Sequence, residues 1–214
     1  MSERNEFEIL LRGLGEFDEN QISRIADFRD EVVLENSFQN LTRLLTPADF
    51  FEGHVLDVVE LKRSGLLSFP ALDLGAGMGV PGLLYALIYG LNSHETIISC
   101  DSEKMKADFS QKMIDQFAIK AIISVHSRAE TYLSSHSVDT IFARAVGPVG
   151  RIHGWIEECS TWNKLLLMKG PKWEEEWSEF RKTSRGKRLN LGREHRYKVG
   201  LLEKSRVLVE LIRK

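Results

Sequence analysis

The spacing of apolar residues along the chain changes near residue 69. Before that point apolar residues recur every three or four positions, which is the period of an amphipathic helix. Thr46 followed by Pro47 is typical of a helix N-terminus. We therefore predict a helical extension over residues 1–68, built from helical segments at residues 3–12, 19–35 and 47–64.

From residue 69 onward, short apolar runs alternate with helical patterns. Strands that alternate with helices indicate a parallel sheet with helices on both faces. We therefore predict an α/β fold over residues 69–214, with a mostly parallel, seven-stranded sheet. The predicted strands are PALDLG, ETIISCD, KAIISVHS, SVDTIFARA and KLLLMKG, followed by a closing hairpin from GREHRYKVG and SRVLVELIRK.

Composition places the chain among ordinary globular proteins. Its 214 residues are 43% hydrophobic and 28% charged, which suits one domain with an extension. We find no secretion signal and no apolar run long enough to cross a bilayer. Cys100 and Cys159 lie in apolar sequence without metal-ligand spacing, so we predict reduced core cysteines. We expect a cytoplasmic monomer that binds neither a membrane nor a metal.

The net charge of −2 hides an uneven distribution. Residues 1–72 carry 7 Lys and Arg against 14 Asp and Glu, and residues 73–180 carry 10 against 14. Residues 181–214 carry 12 against 3, a net charge of +9. A basic segment on an acidic protein indicates contact with a polyanion, although a solvated surface segment would look the same.

A cluster of glycines follows the first predicted strand. In LDLGAGMGVPG the turn begins at Gly75 and Gly77, and a helix follows from Pro81. A strand, a glycine turn and a helix form a nucleotide-binding device, because backbone N–H groups face the ligand and no side chain blocks its approach. Asp101 ends the second strand, where a carboxylate can accept both hydroxyls of an adenosine ribose. A plain strand-to-helix connection is the alternative.

The position of Asp73 helps to distinguish a dinucleotide ligand from a cationic one. It stands two residues before Gly75, where a carboxylate would repel the pyrophosphate of NAD. It suits S-adenosylmethionine (AdoMet), which carries a cationic sulfonium and an amino group. Alternatively, Asp73 caps the amides of the loop itself, and the two roles are compatible.

Several short segments occur in a characteristic order along the chain. They are NLT (40–42), HVLDV (54–58), LDLGAGMGVPG (72–82), DS (101–102), SRAE (127–130), ARA (143–145), MKG (168–170) and Arg206 in SRVLVEL. Together they resemble the RsmG (GidB) family, which methylates N-7 of a guanine in bacterial 16S ribosomal RNA. The resemblance covers nearly the whole chain and implies an AdoMet-dependent, Rossmann-like methyltransferase domain over residues 69–214. Two departures are Met105–Lys106, where the family usually has a lysine–arginine pair, and Ala143, where it has serine.

The resemblance also implies site residues. AdoMet is expected to touch Gly75, Val80, Ala129, Glu130 and Arg144. A backbone amide at Ala129 suits the adenine edge. Arg144 has two interpretations: a bidentate partner for the methionine carboxylate of AdoMet, or a contact to an RNA phosphate or to O-6 of guanine.

The remaining candidate residues are basic. We assign Lys169 to the catalytic cleft together with Arg144, and we place it near a phosphate. Lys169 and Arg206 are expected to contact the RNA substrate, presented as free ribosomal RNA or as a ribosomal subunit. The basic segment adds Arg185, Lys187 and Arg188 as phosphate contacts.

Three other functions are alternatives. AdoMet could serve a protein or small-molecule substrate, against which the basic segment argues. A nucleotide-dependent oxidoreductase would leave Asp73 unexplained. A non-catalytic RNA-binding relative is compatible with the altered Met105–Lys106 segment. For methylation of N-7 no general base is needed, since that nitrogen has a free lone pair, and this agrees with the lack of an acid–base constellation in the sequence.

Overall fold

The computed structural model describes residues 1–200 and 203–214, which contain a seven-stranded sheet in the order β3-β2-β1-β4-β5-β7-β6. Strands β1 to β5 pair in parallel, and β7 pairs antiparallel with both β5 and β6. The predicted sheet and its closing hairpin are confirmed. The strands are β1 (Ala71–Leu74), β2 (Ile97–Asp101), β3 (Ile122–His126), β4 (Val138–Arg144), β5 (Trp162–Lys169), β6 (Leu189–Val199) and β7 (Lys204–Arg213).

Helices cover both faces of this sheet, as predicted. Helices α1, α2, α4, α5 and α6 pack in one apolar core, and α7, α8 and α9 pack in a second core on the opposite face. The helices are α1 (Glu3–Leu14), α2 (Glu19–Glu35), α3 (Pro47–Phe50), α4 (Leu56–Ser64), α5 (Gly82–Tyr89), α6 (Lys104–Gln116), α7 (Ala129–Leu133), α8 (Val149–Ile156) and α9 (Trp173–Phe180), with a π-turn at Phe51–Val55 and a 3₁₀ turn at Gly186–Arg188.

The N-terminal helices share their core with the sheet. Thr46 accepts a hydrogen bond from the Asp49 N–H and so caps α3, with Pro47 in the first turn. The ring of Phe50 on α3 packs edge-on against Phe7, with 5.7 Å between ring centroids. The same buried cluster includes Phe142 of β4. Residues 1–68 therefore contribute directly to one face of the sheet, and the division between residues 68 and 69 stays a prediction.

The strand order places a crevice at the carboxyl ends of the central strands. The chain runs outward from β1 through β2 to β3, and then crosses to β4 on the other side of β1. Open parallel sheets bind ligands at the carboxyl ends of strands beside such a reversal. Strands β1 and β2 are buried along their whole length, so only their carboxyl ends and the loops after them can meet a ligand there.

Candidate functional site

A first cavity of about 330 Å³ lies at the carboxyl ends of β1 to β4. That volume falls within the range of small-molecule sites. The predicted residues Gly75, Asp101, Ala129, Glu130 and Arg144 all line it. The other lining residues are Leu74, Cys100, Ser102, Glu103, Lys106, Ser127, Arg128, Ala145, Val146 and Trp155.

The turn after β1 requires glycine. Gly75 has φ +68° and Gly77 has φ +57°, values in the left-handed region that favours glycine. A Cβ on Gly75 would also lie 3.0 Å from the side chain of Val146. The N–H groups of Gly75 and Ala76 donate to the Cys100 carbonyl at 2.9 and 3.1 Å. The turn is therefore held against β2 while its open side borders the cavity.

Asp101 holds the same turn from the end of β2. Its Oδ2 accepts from the Gly77 N–H at 2.9 Å, and its Oδ1 accepts from the Glu103 N–H at 2.9 Å. The residue is 7% exposed. One carboxylate thus fixes the glycine turn and the loop after β2, and each of its oxygens keeps a lone pair for a further donor.

Asp73 lies beneath the turn, where it is 1% exposed. Its Oδ2 accepts from the Gly82 N–H at 2.8 Å, so it binds the first residue of α5. Of the two roles considered for Asp73, the structure shows the capping role. Burial raises the pKa of Asp73 to about 7, with the nearby Asp101 charge acting in the same direction. Asp73 does not line the cavity, so its contact with AdoMet stays a prediction.

The raised pKa of Asp73 makes the stability of the protein depend on pH. A folded-state pKa above the ordinary 3.8 stabilises the fold fully below about pH 4, and this contribution is lost as pH rises through about 7. The free energy of unfolding should fall by roughly 1 kcal/mol more between pH 6 and pH 8 in the wild type than in Asp73→Asn. Denaturant titrations at the two pH values measure this, and parallel pH profiles would contradict it.

The other predicted residues of the first cavity differ in position. Ala129 begins α7 and is 8% exposed, and the half-exposed Glu130 follows it. Val80 lies elsewhere: it is 5% exposed and packs in the core on the α5 side of the sheet. Its side chain is not part of the described cavity wall. Trp155 of α8, 37% exposed, borders the cavity and was missed from sequence.

Arg144 separates this cavity from a second one of about 560 Å³. Its Nη1 donates to the Gly53 carbonyl and, at 3.3 Å, to Oδ2 of Asp57. Its Nε is buried and has no partner in the described part of the chain. The second cavity is lined by Leu44, Gly53, Asp57, Arg144, Ala145, Met168, Lys169, Gly170, Pro171, Lys204, Ser205 and Arg206.

Asp57 is a buried carboxylate of the second cavity that sequence reasoning also missed. Its side chain is 1% exposed and accepts hydrogen bonds from Arg144, from Arg206 and, at 2.8 Å, from the Tyr197 hydroxyl. A carboxylate within the apolar run HVLDVVEL was the available signal, since a charge is rarely buried without a partner.

Lys169 and Arg206, the two predicted RNA contacts, both line the second cavity, but each is held by a carboxylate. Lys169 Nζ donates to the Gly147 carbonyl at 2.9 Å and to Glu176 Oε1 at 2.8 Å, with a side chain 10% exposed. Arg206 donates to Asp57. Lys169 therefore anchors the loop after β4 besides facing the cavity.

Arg185, Lys187 and Arg188 of the basic segment lie at the other end of the strands, away from the second cavity. Arg185 pairs with Glu157 at 2.7 Å, and Arg188 lies 4.0 Å from the same carboxylate. Leu189, which follows them, pairs with Arg213 at the amino end of β5. The eight residues of β5 span roughly 25 Å. The structure therefore does not bring Arg185, Lys187 and Arg188 together with Lys169 and Arg206.

None of the helices in residues 1–200 and 203–214 combines the length and the apolar character that a membrane span requires. Within the same residues, no three His, Cys, Asp or Glu side chains are grouped so that they could hold a metal ion.

The sequence is similar to proteins of known family. A family model described as rRNA small subunit methyltransferase G matches residues 21–195. A ribosomal RNA small subunit methyltransferase G from Thermotoga neapolitana is 29% identical over 198 residues, covering 90% of this chain and 83% of the relative. One of the same name from Novosphingobium aromaticivorans is 31% identical over 164 residues, covering 75% and 70%.

Solved structures share the fold. A SAM-dependent methyltransferase from Aquifex aeolicus superposes with a TM-score of 0.53 at 17% identity, covering 76% of this chain and 92% of that one. TrmK from M. capricolum, solved with S-adenosylhomocysteine, gives a TM-score of 0.54 at 11% identity, covering 73% and 68%. At such low identity these neighbours show a common Rossmann-like architecture and nothing finer.

Proposed function

The chain belongs to the small-subunit rRNA methyltransferase G family, and from this membership we propose that it transfers a methyl group from AdoMet to N-7 of a guanine in small-subunit ribosomal RNA. The observation that carries the proposal is the pair of cavities that meet at Arg144 and Ala145. A methyl donor in the first and a purine in the second would face each other across that boundary.

The residues of the first cavity fit AdoMet. Gly75 lines this cavity without a side chain, so a ligand can approach the backbone there. We expect Asp101 to accept from the ribose hydroxyls and the backbone at Ala129 to meet the adenine edge. The unpartnered, buried Nε of Arg144 is a donor suited to a carboxylate. Trp155 offers an aromatic face at the rim.

The main requirement of this reaction is that the protein aligns N-7 of the guanine with the methyl group and the sulfur of AdoMet. AdoMet supplies a methyl group on a sulfonium, and as N-7 bonds to that carbon the S–C bond breaks and its electron pair stays on sulfur. Because no proton is removed, the side chains need only orient the purine, and alignment of this kind is worth up to about 7–11 kcal/mol. Positive charge moves onto the purine. Pairing of Lys169 with Glu176 limits its repulsion of that charge.

The second cavity suits the RNA. Arg144, Lys169, Lys204 and Arg206 line it against the single carboxylate of Asp57. We place the phosphates that flank the target guanine against Arg206 and Lys169, since these cations remain at the cavity wall. The substrate is free ribosomal RNA or a small ribosomal subunit. The protein acts as a monomer. It acts in the cytoplasm, where ribosomes are assembled in bacteria.

Arg185, Lys187 and Arg188 should bind a part of the RNA that lies away from the target guanine. Neutralising Arg185, Lys187 and Arg188 together should weaken RNA binding and reduce the slope of log affinity against log salt by about two, because each lost phosphate contact removes about 0.7. AdoMet affinity should not change, given the distance across the sheet. Filter binding at several salt concentrations measures the slope.

The control for this variant neutralises Lys104, Lys112 and Lys120, three exposed lysines in and after α6. It should leave the slope near the wild-type value. Equal slopes for wild type and the first variant would show that Arg185, Lys187 and Arg188 form only a solvated surface.

Methyl transfer to undermethylated small ribosomal subunits tests the proposed function most directly. Tritium from labelled AdoMet should appear in 16S RNA, and the modified base should be 7-methylguanine. AdoMet binding can be followed separately by tryptophan fluorescence, because Trp155 is exposed whereas Trp162, Trp173 and Trp177 are at most 9% exposed. AdoMet binding without transfer to RNA would indicate another substrate, and RNA binding without AdoMet would indicate a non-catalytic relative.

A further inference from the structure

We propose that Asp57 is a positioning residue that holds Arg144 and Arg206 in the geometry that grips RNA in the second cavity. This inference rests on the proposed function and assigns a role to a residue that does not itself need to touch the substrate. It is carried by the convergence of three donors, from three different strands, on one buried carboxylate.

The three donors come from distant parts of the chain. Arg144 ends β4, Tyr197 lies in β6, and Arg206 lies near the start of β7. Oδ2 of Asp57 accepts from both arginines, and Oδ1 accepts from the tyrosine hydroxyl at 2.8 Å. Asp57 itself is on α4. One carboxylate therefore fixes the N-terminal helices and the closing hairpin relative to the end of β4.

The backbone before Asp57 adds a second acceptor for Arg144. The chain forms a π-turn at Phe51–Val55, in which the Leu56 N–H donates to the Phe51 carbonyl. The Gly53 carbonyl within this turn accepts from Nη1 of Arg144. Single π-turns inserted beside an α-helix are frequent at functional sites. Here the turn and Asp57 together grip one nitrogen of Arg144.

Charge explains why the carboxylate is needed. Two guanidinium groups on one acceptor oxygen would repel each other without it, and the side chain of Arg144 is only 15% exposed, so water could not replace Asp57 fully. A guanidinium carries five N–H donors, and Asp57 engages Nη1 of each. The donors that remain on Arg144 and Arg206 belong to residues that line the second cavity.

The helix also provides a matched control. Glu60 lies one turn after Asp57, with a side chain 13% exposed, and accepts from His195 Nε2 of β6 at 2.7 Å. It also pairs with Arg63. It thus makes the same kind of contact between α4 and the closing hairpin, but it does not line either of the two cavities described above.

Full-length Asp57→Asn and Glu60→Gln test the proposal with undermethylated small subunits as substrate. Asp57→Asn should raise KM for the subunit and Kd for its RNA about tenfold, the effect of losing one charge-assisted hydrogen bond, while kcat falls by no more than about threefold. Glu60→Gln should leave both constants near wild type. A purely structural role would lower the apparent kcat of both variants with KM unchanged, and that result would overturn the proposal.

Tyr197→Phe tests the positioning role of Asp57 if Asp57→Asn does not fold. This variant removes one hydroxyl donor to Asp57 and keeps all charges, so KM for the subunit should rise about threefold with circular dichroism and melting temperature close to wild type. An unchanged KM would refute the positioning role. Because RNA affinity is measured without turnover, a failure of methyl transfer in the wild type would be seen separately.

Discussion

Replacing Arg144 by alanine is expected to lower kcat/KM for methylation of small subunits by roughly a hundredfold or more. Arg144 borders both cavities, so its loss affects the contact to AdoMet, the contact to RNA, or both. Its removal also leaves Oδ2 of the buried Asp57 with Arg206 as its one arginine partner. Steady-state kinetics with each substrate varied in turn measures the effect.

Arg144→Lys refines this prediction. A lysine keeps the charge but cannot bind the Gly53 carbonyl, Asp57 and a ligand at once. The activity of Arg144→Lys should therefore be closer to that of Arg144→Ala than to that of the wild type. Calorimetry with AdoMet separates the two interpretations of Arg144, because only the carboxylate interpretation predicts weaker AdoMet binding. Arg151→Ala, an exposed arginine on α8, is the control. Activity of Arg144→Ala within about tenfold of wild type would contradict both interpretations.

Replacing Asp101 by alanine is expected to weaken AdoMet binding by about a hundredfold. Charge-assisted hydrogen bonds to the ribose account for about 1.5–3 kcal/mol. The structure adds a second cause, since the same carboxylate accepts from the Gly77 and Glu103 N–H groups and both would lose their partner. Isothermal titration of AdoMet gives the change directly.

The AdoMet affinity of Asp101→Asn should lie between those of Asp101→Ala and the wild type, because the amide oxygen of asparagine can still accept one backbone hydrogen bond. Asp108→Ala is the control, with an exposed aspartate on α6 paired to Lys104 at 2.5 Å. If Asp101→Ala bound AdoMet within about threefold of wild type, the ribose contact and the fixed turn would both have to be assigned elsewhere.

Local patterns allowed much of the fold to be predicted. Strands β1 and β2 are fully buried, and their short, continuous apolar runs are typical of a central parallel sheet. The glycine turn was also identified correctly, because a left-handed backbone at Gly75 and Gly77 leaves a direct trace in the sequence. In such cases the cause of the structure lies within a few residues.

Contacts between distant residues were predicted less well. Asp57 and Arg206 are separated by 149 residues. Their contact depends on β7 pairing with β5 and on α4 packing against the closing hairpin. Charge density added Arg185, Lys187 and Arg188 to Lys169 and Arg206 as RNA contacts, but the two groups lie at opposite ends of the strands β5 and β7. The side chain of Val80 packs in the core, so its contact with AdoMet stays a prediction.

The sequence by itself determined the α/β class, the glycine turn and the family to which the chain belongs, since periodicity, left-handed glycines and ordered short motifs are all local properties. Only the tertiary structure decided that Asp73 caps α5, that Asp101 fixes the turn, and that Asp57 gathers donors from three strands. A buried charge must find its partners wherever the packed chain supplies them, and sequence distance does not say where that is.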